Sequence, residues 1–265
     1  MNNDALAVHP PHASLDELIE RFGPSPALFL DYDGTLAAIQ ATPDQAKLEP
    51  HVRQALEQLA RRHPVAIVSG RERTDVEQLV GLPGLIYAGS HGLDIAGPGV
   101  RWDAPEAGDT LPVLDSACEQ LQAETSRLDG ILIERKRYAV AVHYRLADDE
   151  TTRQAERAVE QLAGTLVGLK LAHGKKVWEL RPDIDWDKGR AIDWLCSQLR
   201  RSAPGSFKPV FLGDDETDED GFIAVAALGG VGVLVADAER SSAASMRVTS
   251  VGDVANLLDA LSRRS

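Results

Sequence analysis

The sequence predicts an α/β fold: a doubly wound, mostly parallel sheet as the core, with a smaller α/β cap domain containing antiparallel hairpins inserted into it. Three observations carry this expectation. Short apolar runs alternate with amphipathic helical stretches up to about residue 92. The rhythm then changes, between 109 and 181, to a helix followed by a hairpin, used twice. After Pro182 the strand and helix alternation resumes. Strands apolar on both faces need helices on both sides, whereas hairpins imply antiparallel pairing.

Residues 1–13 carry no periodic signal and are expected to be disordered. SLDELIERFG then predicts a short helix, with Ser14 and Glu17 in capping-box spacing and Gly23 as its stop. PALFLD is a strand, EPHVRQALEQLARR a helix with apolar positions 52, 55, 56 and 59, HPVAIVSG a strand, TDVEQLVGL a helix and LIYAGSHG a third strand. In the insertion, TLPVLDSACEQLQAETSRL predicts a helix and ILIERKRYAVAVHYR two strands meeting near Arg135–Arg137. DDETTRQAERAVEQLAG predicts a second helix, and LVGLKLAHGKKVWELRP a second strand pair turning at His173–Gly174. Back in the core come DKGRAIDWLCSQL (helix), PVFLGD (strand), EDGFIAVAAL (helix), VGVLVA (strand) and SVGDVANLLDALS (helix). The domains expected are therefore a core of 14–108 and 182–265 and a cap of 109–181.

Bulk properties narrow the function. The 265 residues are 43% hydrophobic, enough for one substantial core with a smaller second one. A net charge of −13 argues against a nucleic-acid or anionic-membrane surface, which needs clustered Lys and Arg, but leaves a small phosphorylated ligand possible. Cys118 and Cys196 lie in helical segments without metal-ligand spacing and are expected to be buried thiols. No run approaches the roughly 18 apolar residues of a membrane span, and the start has no basic, then apolar, leader pattern. The expected location is the cytoplasm. No feature of the sequence specifies an oligomeric state, and a monomer is the simplest expectation.

In an open parallel sheet, ligands bind beyond the carboxyl ends of the strands. The first strand ends at Asp31 and Asp33, the second at Ser69-Gly70-Arg71, and PVFLG at Asp214, Asp215 and Asp218, with Lys188 opening the helix between. Carboxylates arriving from two strands repel one another unless a cation sits among them. Mg²⁺ fits, because it takes oxygen ligands and commonly uses a few carboxylates plus water and phosphate. An aspartate can then attack phosphorus, and its neighbour can serve as acid and base. Gly34-Thr35 supplies a tight turn whose N–H groups can approach phosphate oxygens, while Ser69 and Lys188 add a donor and a charge.

These blocks, DYDGT, SGR, Lys188 and GDDETD in that order, resemble the haloacid dehalogenase-type phosphohydrolases, which have a Rossmann-like core. Within that superfamily GSHG, ERKRYAVAVHYR, KKVWELRP with DKGRA, and GDDETDEDGF resemble the trehalose-6-phosphate phosphatases from about residue 27 to 235. The resemblance implies a Mg²⁺-dependent hydrolysis of trehalose 6-phosphate through an aspartyl-phosphate. In this reading Asp31 is the nucleophile and Asp33 the acid and base. Metal is held by Asp31, the Asp33 main-chain carbonyl and Asp214, with Asp218 nearby or acting through water. Ser69 and Lys188 hold the phosphoryl group, joined by Gly34, Thr35 and Gly70, and Lys136, His143, Lys176 and Glu179 lie near the sugar. Rival substrates are sucrose phosphate and mannosylglycerate phosphate, and a rival class is a catalytically inactive sugar-phosphate sensor. The intact set Asp31, Asp33, Lys188 and Asp214 favours the enzyme.

Plainer readings stand beside these. Asp-x-Asp-Gly alone is most often a turn, and its partners reverse that. A calcium loop with Gly221 in sixth place would put Ala227 where a bidentate Glu is needed. Glu219 and Asp220 read as a solvated acidic helix start. Arg71 either meets the substrate or pairs with a nearby acid, and His91 reads as a turn histidine. In YAVAVHYR, Tyr138, Val140, Val142 and Tyr144 form the face towards the cap core, leaving Ala139, Ala141, His143 and Arg145 for a ligand or for solvent.

Overall fold

A computed structural model describes residues 9–40, 45–174, 176–202 and 205–264. Two compact units emerge, one of Met1–Trp102 with Trp186–Ser265 and one of Asp103–Asp185.

In the larger unit the first segment runs helix α1 (Leu15–Phe22), strand β1 (Pro26–Leu30), α2 (Pro50–Ala60), β2 (Val65–Val68), α3 (Arg73–Val80), β3 (Ile86–Gly89), β4 (Asp94–Gly97) and β5 (Val100–Asp103). The smaller unit contributes α4 (Pro105–Gly108), α5 (Leu111–Thr125), β6 (Leu132–Lys136), β7 (Ala139–His143), α6 (Asp149–Ala163), β8 (Leu169–Gly174) and β9 (Val177–Pro182). The chain returns as α7 (Lys188–Ser202), β10 (Lys208–Gly213), α8 (Glu219–Ala227), β11 (Val231–Val235), β12 (Met246–Val248) and α9 (Val251–Arg263). No helix among the described residues is long and apolar enough to cross a membrane.

The larger sheet has the order β12-β11-β10-β1-β2-β3-β4-β5. Neighbours from β12 to β3 pair in parallel, and β4 pairs antiparallel to β3. The sheet is thus mixed, with an antiparallel β4 inside the β5 edge and a short β12 at the other edge, none of which the sequence pattern predicts. β1 lies at its centre. Alternate residues of PALFL enter opposite cores, Leu28 and Leu30 on one side and Ala27 and Phe29 on the other. Full burial of such side chains contributes roughly 1.5–3 kcal/mol each. That packing makes β1 a firm mount for whatever follows Leu30. Chain order reverses between β1 and β10, so the gap beyond their carboxyl ends is the switch point at which open α/β sheets bind ligands.

The amino-terminal expectation needs correction. Residues 1–8 lie outside the described residues, but 9–13 are ordered: Arg247 N donates to Pro11 O at 2.9 Å, Ala13 N donates to Arg247 O at 3.0 Å, and Ala13 is buried in the core. A β-bridge between His12 and Arg247 ties this stretch to β12. The reciprocal Ser14–Glu17 cap then starts α1, and Gly23 at φ +74° ends it.

In the smaller unit α5 and α6 cover one face of a four-stranded sheet of order β6-β7-β9-β8. Val140, Val142, Trp178 and Leu180 point into that core with Leu114, Leu121, Val159 and Leu162. The unit extends beyond the 109–181 expected from the sequence. At its start, Thr110 binds Ala107 O through its hydroxyl at 2.8 Å, and Arg137 and Tyr138 bind the Asp103 carboxylate. At its end, Asp183 N donates to Gly168 O at 2.8 Å. The second hairpin also turns later than His173–Gly174. Both residues stay in β8, Gly174 opposite Val177, and Lys176 rather than the glycine takes the left-handed backbone, at φ +66°.

Candidate active site

Asp31 follows β1 directly and is 4% exposed, its amide donating to Leu212 O of the neighbouring β10 at 2.9 Å. The chain then folds back: Leu36 N and Ala37 N both donate to Tyr32 O at 2.9 Å, and Gly34 N donates to Ala37 O at 2.7 Å. Gly34 sits at φ +88°, and a Cβ there would fall 2.2 Å from Asp214 Oδ2. Only glycine lets the two loops approach this closely. Thr35 is fully buried, and its hydroxyl makes no hydrogen bond among the described residues.

Lys188, the first residue of α7, is 3% exposed and donates to Asp31 Oδ1 at 2.7 Å and to Asp218 Oδ1 at 2.6 Å. Asp218, with no exposure at all, takes the amides of Asp214 and Asp215 on its second oxygen, at 2.9 and 3.0 Å. That geometry folds the loop after β10 and brings one carboxylate oxygen each of Asp31, Asp214 and Asp218 within 4.8 Å of one another. Burial pushes the Asp31 carboxyl well above its usual value; Lys188 opposes the shift, while Asp218, Asp214 and Asp215 add to it. Burial likewise raises Asp218 to about 6 against the pull of Lys188. For Lys188 burial favours the neutral amine, but Asp218 and Asp31 outweigh it and hold the ammonium above its ordinary range. Three clustered carboxylates, two of them on one ammonium, carry with it a formal charge of −2. The cluster is short of positive charge in a way a divalent cation would correct, and its all-oxygen donors suit a hard ion. Asp31, Asp214 and Asp218 could each offer an oxygen to a cation, and Asp218, with its oxygens on Lys188 and on the two loop amides, also shapes the cluster.

Asp33 is not a member of that cluster. Its carboxylate accepts Arg71 Nε at 2.6 Å and Nη2 at 2.8 Å, and Arg71 Nη1 reaches Asp75 at 2.9 Å. Of the two readings of Arg71, the structure shows the ion pair. Burial works against the Arg71 charge, but Asp33 and then Asp75 outweigh it and keep the guanidinium firmly charged. Ser69 is buried just past β2, its hydroxyl accepting Arg71 N at 3.2 Å. Gly70 lies against His91, which occupies a tight turn at φ +57° and donates its amide to Ser69 O at 2.9 Å.

In the smaller unit Lys136, His143 and Glu179 share the sheet face opposite α5 and α6. Lys136 Nζ binds Glu179 Oε1 at 2.7 Å, and His143 Nε2 lies 2.8 Å from Glu134 Oε2. Lys176 does not join them: it is exposed in the turn, with its ammonium over the Tyr144 ring at 5.6 Å. Glu134 and Arg181 belong to the polar face as well, although the sequence motifs do not single them out; strand alternation from Lys136 and Glu179 finds both. Glu219 also departs from expectation. Instead of a solvated acid it accepts Arg240 Nη1 at 2.9 Å and Ala243 N at 2.7 Å, anchoring the loop after β11.

Comparison with known proteins agrees with this arrangement. A family described as trehalose-phosphatase matches residues 29–252. Trehalose-phosphate phosphatase of Mycobacterium avium (strain 104) is 42% identical over 245 residues, which are 90% of this chain and 62% of that protein. The protein of the same name from Mycobacterium tuberculosis (strain H37Rv) is 41% identical over 253 residues, 94% of this chain and 63% of its own length. The chain thus spans less than two thirds of these curated relatives. Among solved structures, a trehalose-6-phosphate phosphatase related protein superposes with a TM-score of 0.77 at 25% identity, covering 90% of this chain and 97% of that one. The C-terminal domain of C. albicans trehalose-6-phosphate phosphatase has the same fold, with a TM-score of 0.83 at 23% identity over 96% and 98% of the two chains. Because the matched stretch takes in every strand end that meets at the carboxylate cluster, from Asp31 to Asp218, the chain belongs to the trehalose-phosphatase family.

Proposed function

We infer that the protein is a Mg²⁺-dependent phosphatase that hydrolyses trehalose 6-phosphate to trehalose and inorganic phosphate, in trehalose biosynthesis. The observation that carries this reading is the buried Asp31 on the central strand, held by Lys188 within an oxygen cluster shared with Asp214 and Asp218. Asp31 attacks phosphorus as the bond from phosphorus to the sugar oxygen breaks, and the leaving oxygen takes a proton from Asp33, which enters this step as the carboxylic acid and leaves it as the carboxylate. Water then attacks the aspartyl-phosphate, gives its proton to Asp33, and releases phosphate while restoring the Asp31 carboxylate. Lys188 and Ser69 hold the phosphoryl oxygens, with Gly34, Thr35 and Gly70 beside them; the amides of Gly34 and Thr35 are given to Ala37 O and Tyr32 O, so that turn supplies close approach rather than the N–H donors the sequence suggested. Asp31, Asp214 and the Asp33 carbonyl would hold Mg²⁺, with Asp218 fixing their arrangement; when bound, the ion offsets the negative charge of the carboxylates and the substrate.

Sugar discrimination is assigned to the polar sheet face of the smaller unit, with Glu179, Lys136 and His143 as its principal groups and Lys176 at its margin. Phosphate and metal are common to every sugar phosphate, so selectivity must come from groups that meet hydroxyls. The thiols Cys118 and Cys196, both free and buried, support a reducing compartment such as the cytoplasm. The test is phosphate release across trehalose, sucrose, mannosylglycerate and glucose phosphates, for the wild type and Glu179→Ala. Trehalose 6-phosphate should be preferred, and the variant should lose that preference. Equal rates on glucose 6-phosphate would sink the substrate reading.

A further inference from the structure

We propose that Arg71 is a positioning residue for proton transfer: it fixes the direction of the Asp33 carboxyl group rather than binding substrate. The proposal rests on Asp33 being the acid and base, and four observations of the larger unit carry it. Asp33 is 37% exposed, so burial does not choose its rotamer, whereas Arg71 is 9% exposed and cannot wander. The contact between them is a fork, Nε to Oδ2 at 2.6 Å and Nη2 to Oδ1 at 2.8 Å, which fixes the plane of the carboxylate as well as its position. The third guanidinium nitrogen is committed to Asp75 at 2.9 Å, and the group lies 5.4 Å over the Tyr32 ring, next to Asp33 in the chain. The Arg71 backbone is pinned at both ends, its amide to Ser69 Oγ at 3.2 Å and its carbonyl to Ser90 N at 2.7 Å. A guanidinium held this way is a post, with each of its three nitrogens donating to an aspartate.

The post leaves Asp33 able to work. A carboxyl group offers about four lone-pair directions; the fork uses two, and one of the others carries the proton when Asp33 acts as the acid. The remaining directions are held in a fixed plane, where a leaving sugar oxygen or an attacking water can meet them. Without the fork an exposed aspartate samples several rotamers, and misplacement of a catalytic group by about 1 Å can cost on the order of a hundredfold in rate. Lysine would preserve the charge opposite Asp33 and Asp75 but cannot form the fork.

The experiment compares two esters that differ in their need for a proton. An alkyl sugar phosphate leaves as a strongly basic alkoxide and needs the acid. 4-Nitrophenyl phosphate leaves as a stable phenolate and does not. The readout is kcat/KM, which includes phosphoryl transfer to Asp31 but not the later hydrolysis. Arg71→Lys and Arg71→Ala should lower kcat/KM on trehalose 6-phosphate by about 10- to 100-fold, through kcat, while the aryl ester changes by less than about 3-fold. Asp33→Asn should show the same split, and Arg71→Lys added to it should cost little more, because the two residues act as one unit. Thermal unfolding checks that each variant folds, and the lysine variant serves if alanine does not. Equal losses on both esters would make Arg71 merely structural. A raised KM on the sugar ester at unchanged kcat would make it a substrate contact. Either result overturns the proposal. If the wild type prefers another sugar phosphate, the substrate reading fails separately and the same comparison on that ester decides Arg71.

Discussion

The tightest geometric statement about the site is the approach of Gly34 to Asp214, and Gly34→Ala tests it with a single methyl group. The added Cβ would lie 2.2 Å from Asp214 Oδ2, 2.4 Å from Cγ and 2.6 Å from Oδ1, where ordinary contact begins at 3.4 Å. The Asp214 carboxylate must therefore retreat by roughly 1.2 Å, the difference between the shortest distance and that limit. A second cost is backbone strain, since φ at Gly34 is +88° and an L-residue loses about 1–2 kcal/mol there. Gly99 separates the two effects: it has φ +73° with nothing within 4 Å of where an added methyl would sit, so Gly99→Ala carries the strain without the clash. Both variants should lose stability on the order of 1 kcal/mol, a melting shift of about 2–4 °C for a chain of this size. Only Gly34→Ala should lose activity, by about a hundredfold, with a higher Mg²⁺ concentration for half-maximal rate. The assay is phosphate release from trehalose 6-phosphate across a Mg²⁺ titration, beside fluorescence-monitored melting. Trp102, Trp186 and Trp194 stack together in the larger unit and report its unfolding. A Gly34→Ala enzyme with the wild-type Mg²⁺ titration and a rate within about 3-fold of wild type would refute the reasoning, because Asp214 could then stand elsewhere without penalty.

Two further outcomes follow from the same carboxylate cluster. Asp31→Asn should abolish turnover while melting close to the wild type, since the amide is nearly isosteric but a poor nucleophile, and Asp33→Asn should cost on the order of a hundredfold or more; substantial turnover by the Asp31 variant would remove it from the mechanism. Chelation should silence the enzyme and Mg²⁺ restore it. Saturating Mg²⁺ should also raise the melting temperature, by the equivalent of about 2.7 kcal/mol at one hundred times the dissociation constant. Asp214→Ala should erase that thermal shift, and a shift of unchanged size would deny Asp214 a part in binding the ion.

The site was more legible in the sequence than the fold's edges were, and for a physical reason. Catalytic groups in a parallel sheet gather where strands end. The strands that end at Asp31, Ser69 and Asp214 are central ones, whose continuous burial writes an unbroken apolar run into the sequence. Peripheral strands have no such mark. β4 reads DIAG and β5 reads VRWD, half exposed and mixed in character, and β12 is three residues long, so each takes its conformation from a neighbour rather than from its own pattern. The hairpin turn at Lys176 was missed because glycine is the default for a left-handed residue, yet Gly174 pairs with Val177 and stays in the ladder. Side-chain pairing was hidden for a different reason. Asp33 and Arg71 stand 38 residues apart, and nothing in DYDGT or SGR says whether the arginine faces a phosphate or an aspartate. That choice is made in three dimensions, by parallel pairing of β1 with β2, which sets Leu30 beside Ile67 and so brings the residues just beyond both strands to the same end of the sheet. Register therefore carries chemistry: the pairing that packs Leu30 and Ile67 in one core also delivers the Arg71 fork to Asp33, so moving that register would separate the acid from its post while leaving every motif in the sequence intact.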